Sequence, residues 1–198
     1  MMDITDIVLA TGNAGKLREF QQLFNEHPVN IRPQSDFNVP DVPETGLTFV
    51  ENALIKARHA SELTNRPAMA DDSGLEVDAL QGAPGIYSAR YAYDGASSED
   101  NNRKLLESLQ DIPQAQRTAR FQCVLVYLRH AKDPTPLICQ AHWEGRILTT
   151  AQGDNGFGYD PIFYVPTHQC AAANLDSQIK NQISHRAQAL QKLSKHWR

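Results

Sequence analysis

Two strand-forming runs late in the chain, ARFQCVLVYLR over Ala119–Arg129 and LICQAHWEGRILTT over Leu137–Thr150, constrain the fold more than any other feature. The AKDPTP between them reads as a hairpin connection, so antiparallel pairing is expected there. The N-terminal end has a different pattern. Ile7–Ala10 is a short β-branched run closed by a Thr-Gly-Asn turn, and Leu17, Phe20, Leu23 and Phe24 then recur at helical spacing. Thr48–Thr64 sets Phe49, Ala53, Ala57 and Ala60 on one helical face and opens with a capping box, Thr48-x-x-Glu51. Pro67–Ala70 and Leu75–Leu80 read as short strands around an Asp-Asp-Ser-Gly turn. Asn101–Leu109 reads as a helix and Pro161–Val165 as a strand. Ile183–Trp197 reads as a terminal helix with Ala187, Leu190, Leu193 and Trp197 on one side. A strand–helix beginning followed by a long hairpin predicts an α/β fold with a mixed central sheet flanked by helices, rather than a pure doubly wound sheet.

With 198 residues the prior is one domain, or one domain pinched into two lobes. The composition, 41% hydrophobic and 21% charged, holds no apolar run long enough to span a bilayer. The start, MMDITDIVLATGN, is acidic before a very short apolar stretch, unlike a secretion signal, which makes the cytoplasm the expected compartment. Cys123, Cys139 and Cys170 are widely spaced and show no zinc-ligand pattern, so buried reduced thiols are expected. Nineteen basic against 23 acidic residues give a net charge of −4. That argues against a general nucleic-acid coat and requires any phosphate site to be built locally.

Several stretches can carry chemistry. LATGNAGKLREF fits neither G-x-x-x-x-G-K-[ST] nor G-x-G-x-x-G; what remains is a glycine turn into a helix N-terminus, where backbone N–H groups and the dipole favour an anion. Lys16 in that first turn is disfavoured by roughly 0.3–1 kcal/mol unless something negative lies nearby. The bland alternative is a strand–helix turn with a solvated lysine. Ser184-His185-Arg186 repeats the anomaly at the terminal helix, with Lys180 just upstream; the alternative there is a solvated basic tail. Asp71-Asp72-Ser73-Gly74 presents two carboxylates on opposite sides, and with Glu44 they suit magnesium-assisted phosphoryl chemistry, while an Asx-type turn is the competing reading. Glu51 is assigned to its capping box and left out of the site. In Gly153–Pro161 the glycines permit close approach, Phe157 suits stacking on a base, and Asp160 suits ring N–H groups; a tight turn with tucked-in aromatics is the alternative.

Six blocks in order, LATGNAGK (Leu9–Lys16), ETGLTFVENA (Glu44–Ala53), ADDSG (Ala70–Gly74), GAPGIYSAR (Gly82–Arg90), GFGYDP (Gly156–Pro161) and SHR (Ser184–Arg186), resemble the inosine/xanthosine triphosphate pyrophosphatases of the Ham1-like family, in its bacterial branch. The resemblance covers nearly the whole chain. It implies a magnesium-dependent hydrolase cleaving ITP, dITP or XTP between the α- and β-phosphates, a cleft between two lobes, and a homodimer. By motif, Thr11, Asn13 and Lys16 would hold phosphates, with Gly12 allowing close backbone approach and Ala14 and Gly15 completing the substrate-binding turn, and Glu44 and Asp72 would hold Mg²⁺. Asp72 would also act as the base toward water, and Ser73 would contact substrate. Phe157 would stack on the base, Gly158, Tyr159 and Asp160 would line its pocket, and Lys180, His185 and Arg186 would complete recognition. An Arg donor aimed at the purine 6-oxo group would discriminate against adenine, whose amino group is itself a donor. Competing functions are a purine-nucleotide sensor without hydrolysis and a Maf-like pyrophosphatase with a different base preference. The sequence departs from the bacterial pattern at Asp154, Asn155 and Asn174, beside the expected base pocket.

Overall fold

The computed structural model describes residues 6–24 and 29–195. In chain order the elements are β1 (Asp6–Leu9), α1 (Ala14–Phe24), β2 (Asn30–Pro33), α2 (Phe49–Thr64), β3 (Ala68–Val77), α3 (Ser98–Ser108), β4 (Thr118–Leu128), β5 (Leu137–Ile147), β6 (Phe163–Val165), β7 (Cys170–Ala171), α4 (Ser177–Ile183) and α5 (His185–Ser194). The strands form a seven-stranded sheet in the order β2-β1-β3-β4-β5-β6-β7. β1 pairs in parallel with β2 and β3, whereas β6 pairs antiparallel with β5 and β7, so the sheet is mixed as expected.

The chain divides into two compact units. The first takes the segment ending at Asp72, Cys123–Ala141 and the segment from Arg186 onward; the second takes Ser73–Gln122 and His142–His185. β4 passes from the second unit to the first and β5 from the first to the second, and the two strands are neighbours in the sheet.

In the first unit the two-residue period of the strands sorts side chains into two cores. Ile7 and Leu9 of β1, Met69 of β3 and Leu125 of β4 pack with Phe20 and Phe24 of α1 and Leu190 and Leu193 of α5. Val8, Ala68, Ala70, Val124 and Val126 point the other way, onto Ala53, Ala57 and Ala60 of α2. Small residues at these three α2 positions bring the helix close to the sheet, and each is fully buried. Thr48 caps α2 by accepting from the Glu51 N–H, while Glu51 accepts from the Thr48 hydroxyl and the Leu47 N–H. Glu51 thus serves the start of α2 as its capping-box assignment expects, but through the Thr48 hydroxyl and the Leu47 N–H. The β4–β5 connection is fastened by Asp133, 1% exposed, which accepts from the Arg129 N–H and guanidinium and from the Thr135 N–H.

The second unit has one core, in which Leu75, Leu105, Phe121, Trp143, Ile162 and Phe163 are central. Arg117 is 5% exposed yet pairs with no carboxylate among the described residues; its guanidinium donates to the carbonyls of Leu109, Ile112 and Leu148. Leu109 is the C-cap of α3, so the cation sits beside that helix's C-terminus, where the dipole favours it.

Two expectations are corrected. Asp71-Asp72-Ser73-Gly74 is no turn: β3 runs unbroken from Ala68 to Val77. Short polar residues favour turns when nothing else holds the backbone, but here sheet pairing and buried cations hold it. The terminal helix begins at His185 rather than Ile183, because Ser184 is extended (φ −67°, ψ 160°), and a further helix, α4, precedes it. Lys180 thus lies within α4. Ala187, Leu190 and Leu193 are buried as expected, and Trp197 lies outside the described residues. Cys123 and Cys139 are buried free thiols and Cys170 is half-buried; burial holds the Cys123 thiol far above its usual range, which makes it inert. No described helix is long and apolar enough to cross a membrane.

Two stability changes follow. Arg117→Ala removes the donor shared by the Leu109, Ile112 and Leu148 carbonyls, of which Leu109 keeps the Ile112 N–H, and is expected to destabilise by about 2 kcal/mol in urea unfolding. Asp133 has a carboxyl held below its ordinary range, chiefly by hydrogen bonds from Arg129. A depressed carboxyl contributes stability above its unfolded pKa and loses it as pH falls through the folded value. The urea midpoint gap between wild type and Asp133→Asn should be full at pH 7 and shrink as pH falls below about 4.

Candidate functional site

In the first unit the turn from β1 into α1 carries Thr11 to Lys16. Asn13 is the cap of α1: its Oδ1 accepts the N–H groups of Gly15 (2.9 Å) and Lys16 (3.0 Å). The expectation of several free N–H groups at this helix start is therefore reduced, because the cap side chain takes two of them. The Asn13 N–H in turn donates to the Thr11 hydroxyl at 3.2 Å, which folds the turn on itself. Gly12, Asn13 and Ala14 remain exposed. The Lys16 anomaly is also resolved internally: its Nζ lies 2.9 Å from Asp71 Oδ2, and the carboxylate side chain is fully buried.

The alternation of β3 sends Asp71 to the α1/α5 face and Asp72 to the α2 face. On the first face, Asp71 meets Lys16 and the Nε of Arg186 (3.4 Å), and Arg186 Nη1 meets Glu19 at 2.7 Å. Two cations and two carboxylates balance. Burial opposes ionisation of Asp71, but Lys16 and Arg186 outweigh it and hold the carboxyl far below the usual range. The second basic residue at a helix start, Arg186, is thus also answered within the protein, and it is 4% exposed. It belongs to the same unit as the Lys16 turn.

On the second face, Glu44 Oε1 (2.7 Å) and Asp72 Oδ1 (3.1 Å) converge on Lys56 Nζ. Two carboxylates face one ammonium, leaving a negative excess. Asp72 Oδ2 is buried and has no hydrogen-bond partner among the described residues. Desolvation, with the Glu44 and Asp71 charges, raises the Asp72 carboxyl above its ordinary value despite Lys56 and Lys16. Lys56 loses from burial but is raised overall by Asp72, Asp71 and Glu44, so it stays charged. Among the described residues no three His, Cys, Asp or Glu side chains are grouped to hold a metal by themselves. A pair of carboxylates with spare oxygens instead suits a hard divalent ion that completes its shell with phosphate oxygens and water. Lys56 was missed in the sequence; its signal was a lysine one position before Ala57 in the buried alanine stripe of α2.

The second unit holds the glycine–aromatic loop. Asp160 is 2% exposed, and its Oδ2 accepts from the Phe157 N–H (2.9 Å) and Lys180 Nζ (2.7 Å). Gly156, at φ +78°, sits directly against this carboxylate, so any side chain there would collide with it. Asp160 and Lys180 therefore build the loop from within, and Lys180 Nζ also lies 5.1 Å from the Phe157 ring centroid. Tyr159 is buried and donates to the Ser88 carbonyl at 2.8 Å, while Asn102 Nδ2 donates to the Gly158 carbonyl at 3.0 Å. GAPGIYSAR thus contributes Ser88 as a support, a role its sequence did not reveal. His185, 2% exposed, stacks on Phe121 with centroids 4.8 Å apart and planes 10° from parallel. Ser73, half-exposed, begins this unit on β3.

The chain is 61% identical to a dITP/XTP pyrophosphatase of Vibrio cholerae, over 96% of this chain and 94% of that one. It is 63% identical to a dITP/XTP pyrophosphatase of Shewanella oneidensis, over 94% and 91%. The solved structure of a HAM1 protein from Coxiella burnetii superposes with a TM-score of 0.90 at 52% identity, covering 98% of each chain. A model of the Ham1 family matches residues 7–196, a span that takes in the Lys16 turn, the β3 carboxylates and the Phe157 loop, and this protein belongs to that family.

Proposed function

We propose that the chain is a nucleoside-triphosphate pyrophosphatase that hydrolyses dITP, ITP and XTP to the monophosphate and pyrophosphate, removing non-standard purines from the nucleotide pool. The observation that carries this reading is Asp72 Oδ2. A buried carboxylate oxygen without a partner is costly to maintain unless chemistry uses it. It lies on the same unit as the Thr11–Lys16 turn, and relatives at about 60% identity carry the name dITP/XTP pyrophosphatase.

The roles follow from each group's chemistry. Lys16, held ready by Asp71, turns its charge to the phosphates, and the Thr11–Asn13 turn offers donors beside it. Asp72 Oδ2 accepts a proton from the attacking water, and Lys56, in contact with both Glu44 and Asp72, orients the two carboxylates. Magnesium, bound by Glu44 and Asp72, would neutralise charge on the phosphate oxygens. Phe157 stacks on the base, backed by Lys180, with Gly158, Tyr159 and Asp160 shaping the loop and Asp160 acting from behind rather than on the base itself. Arg186 donates to the purine 6-oxo group, and His185 fixes the chain immediately before it. A buried mismatch with an adenine amino group costs roughly 1–3 kcal/mol, tenfold or more. Ser73 is assigned to the substrate by motif. The setting we propose is a cytoplasmic homodimer.

Incubation with ITP and Mg²⁺ should yield IMP and pyrophosphate; IDP and orthophosphate would point to a phosphohydrolase, and binding without turnover to a sensor. Asp72→Asn should lower turnover at least about 100-fold while nucleotide binding stays measurable by calorimetry. Phe157→Ala should raise KM for ITP by about tenfold or more, the worth of one base stack, with a smaller effect on kcat.

A further inference from the structure

Gly12 raises a question that its backbone does not answer. Its φ is outside the left-handed region, so conformation alone would admit any residue. Space is what is short: a Cβ built on Gly12 would lie 2.8 and 2.9 Å from the two carboxylate oxygens of Asp41, so the carboxylate would have to shift to admit one. At this glycine the Asp41 carboxylate lies directly against the turn.

That carboxylate is tethered. Gln34 Nε2 donates to Asp41 Oδ1 at 2.5 Å, and Gln34 is itself 8% exposed, at the start of a 3₁₀ turn after β2. Thr11, Gly12, Asn13, Gln34, Ser35 and Asp41 line one cavity of about 310 Å³. Glu44, Asp71 and Asp72 each meet a lysine or arginine, but among the described residues no cationic side chain pairs with Asp41. A carboxylate with no cation beside it is therefore tethered against the turn to which phosphates are assigned.

We propose that Asp41 is an affinity-setting residue of the phosphate turn, whose charge weakens the hold on polyphosphate and so favours release of the pyrophosphate product. The inference rests on the pyrophosphatase reading above. Its logic is that the product keeps two of the substrate's phosphates, and grip exerted equally on substrate and product does nothing for turnover. A tethered anion beside the turn lowers that uniform grip. One unit charge several ångströms away in a water-like medium changes binding roughly threefold or more for each charge it faces.

Asp41→Asn keeps the shape and the acceptor for Gln34 and removes the charge. Pyrophosphate binding in Mg²⁺, measured by calorimetry and as product inhibition of ITP hydrolysis, should tighten roughly threefold or more, with KM for ITP falling in parallel. The gain should shrink in high salt. Gln34→Ala, which frees the carboxylate to swing away, should shift both constants in the same direction by less. Unchanged pyrophosphate affinity in Asp41→Asn, with loss only in Asp41→Ala, would make Asp41 a spacer and overturn the proposal. Weaker pyrophosphate affinity in Asp41→Asn would make it a cation ligand and also overturn it. Absence of ITP turnover by wild type would remove the pyrophosphatase reading, while the calorimetric comparison would still decide the role of Asp41.

Discussion

Adjacent carboxylates on a buried strand cannot share an environment, because successive side chains leave the strand on opposite faces. Everything about the candidate chemistry follows from this at Asp71 and Asp72. The face that carries Phe20 and Leu190 gives Asp71 two cations, and the face that carries Ala53 and Ala57 gives Asp72 half a share of one. The first carboxylate is driven strongly acidic and the second is pushed up, from the same starting chemistry one residue apart. A pair of titratable groups forced apart in this way is the pattern by which proteins separate a structural charge from a reactive one.

The loop around Phe157 uses buried charge differently. The Asp160–Lys180 pair is nearly solvent-free, where removing one partner would leave an uncompensated ion. Its geometry earns its keep through the additional bond from the Phe157 N–H, which fixes the backbone that presents the ring. Lys180 then approaches one side of that ring. The aromatic is positioned by charges hidden behind it, so the presenting surface itself can stay apolar.

The sequence revealed the mixed sheet, the capped helix α2 and the apolar face of α5, because each rests on a local period or a local cap. It also marked Lys16, Asp72 and Phe157 as chemical residues. It misread Asp71–Gly74 as a turn, since the ion pairs that hold an extended acidic strand come from residues over 50 positions before and over 110 after Asp71. It took Lys16 and Arg186 as cations awaiting a ligand, when Asp71 and Glu19 answer them within the fold. Lys56 and Asp41 went unnoticed for the same reason: their meaning lies in what they face, Glu44 and Asp72 in one case and Gly12 in the other.

The charge network on the α1/α5 face also bears on how a lysine can be both held and available. Lys16 keeps 13% of its side chain exposed, whereas Asp71 is fully enclosed. If Lys16 were the sole partner, drawing it toward an anion would strand a buried carboxylate, at a cost of several kcal/mol that few ligands recover. Arg186 remains on Asp71, so the carboxylate keeps a cation when the lysine moves. Glu19 in turn keeps Arg186 in place through its own 2.7 Å contact. The pairing of the two basic residues on one aspartate therefore lowers the penalty for moving the exposed one, which is why a lysine with an internal partner at a helix start remains compatible with anion binding.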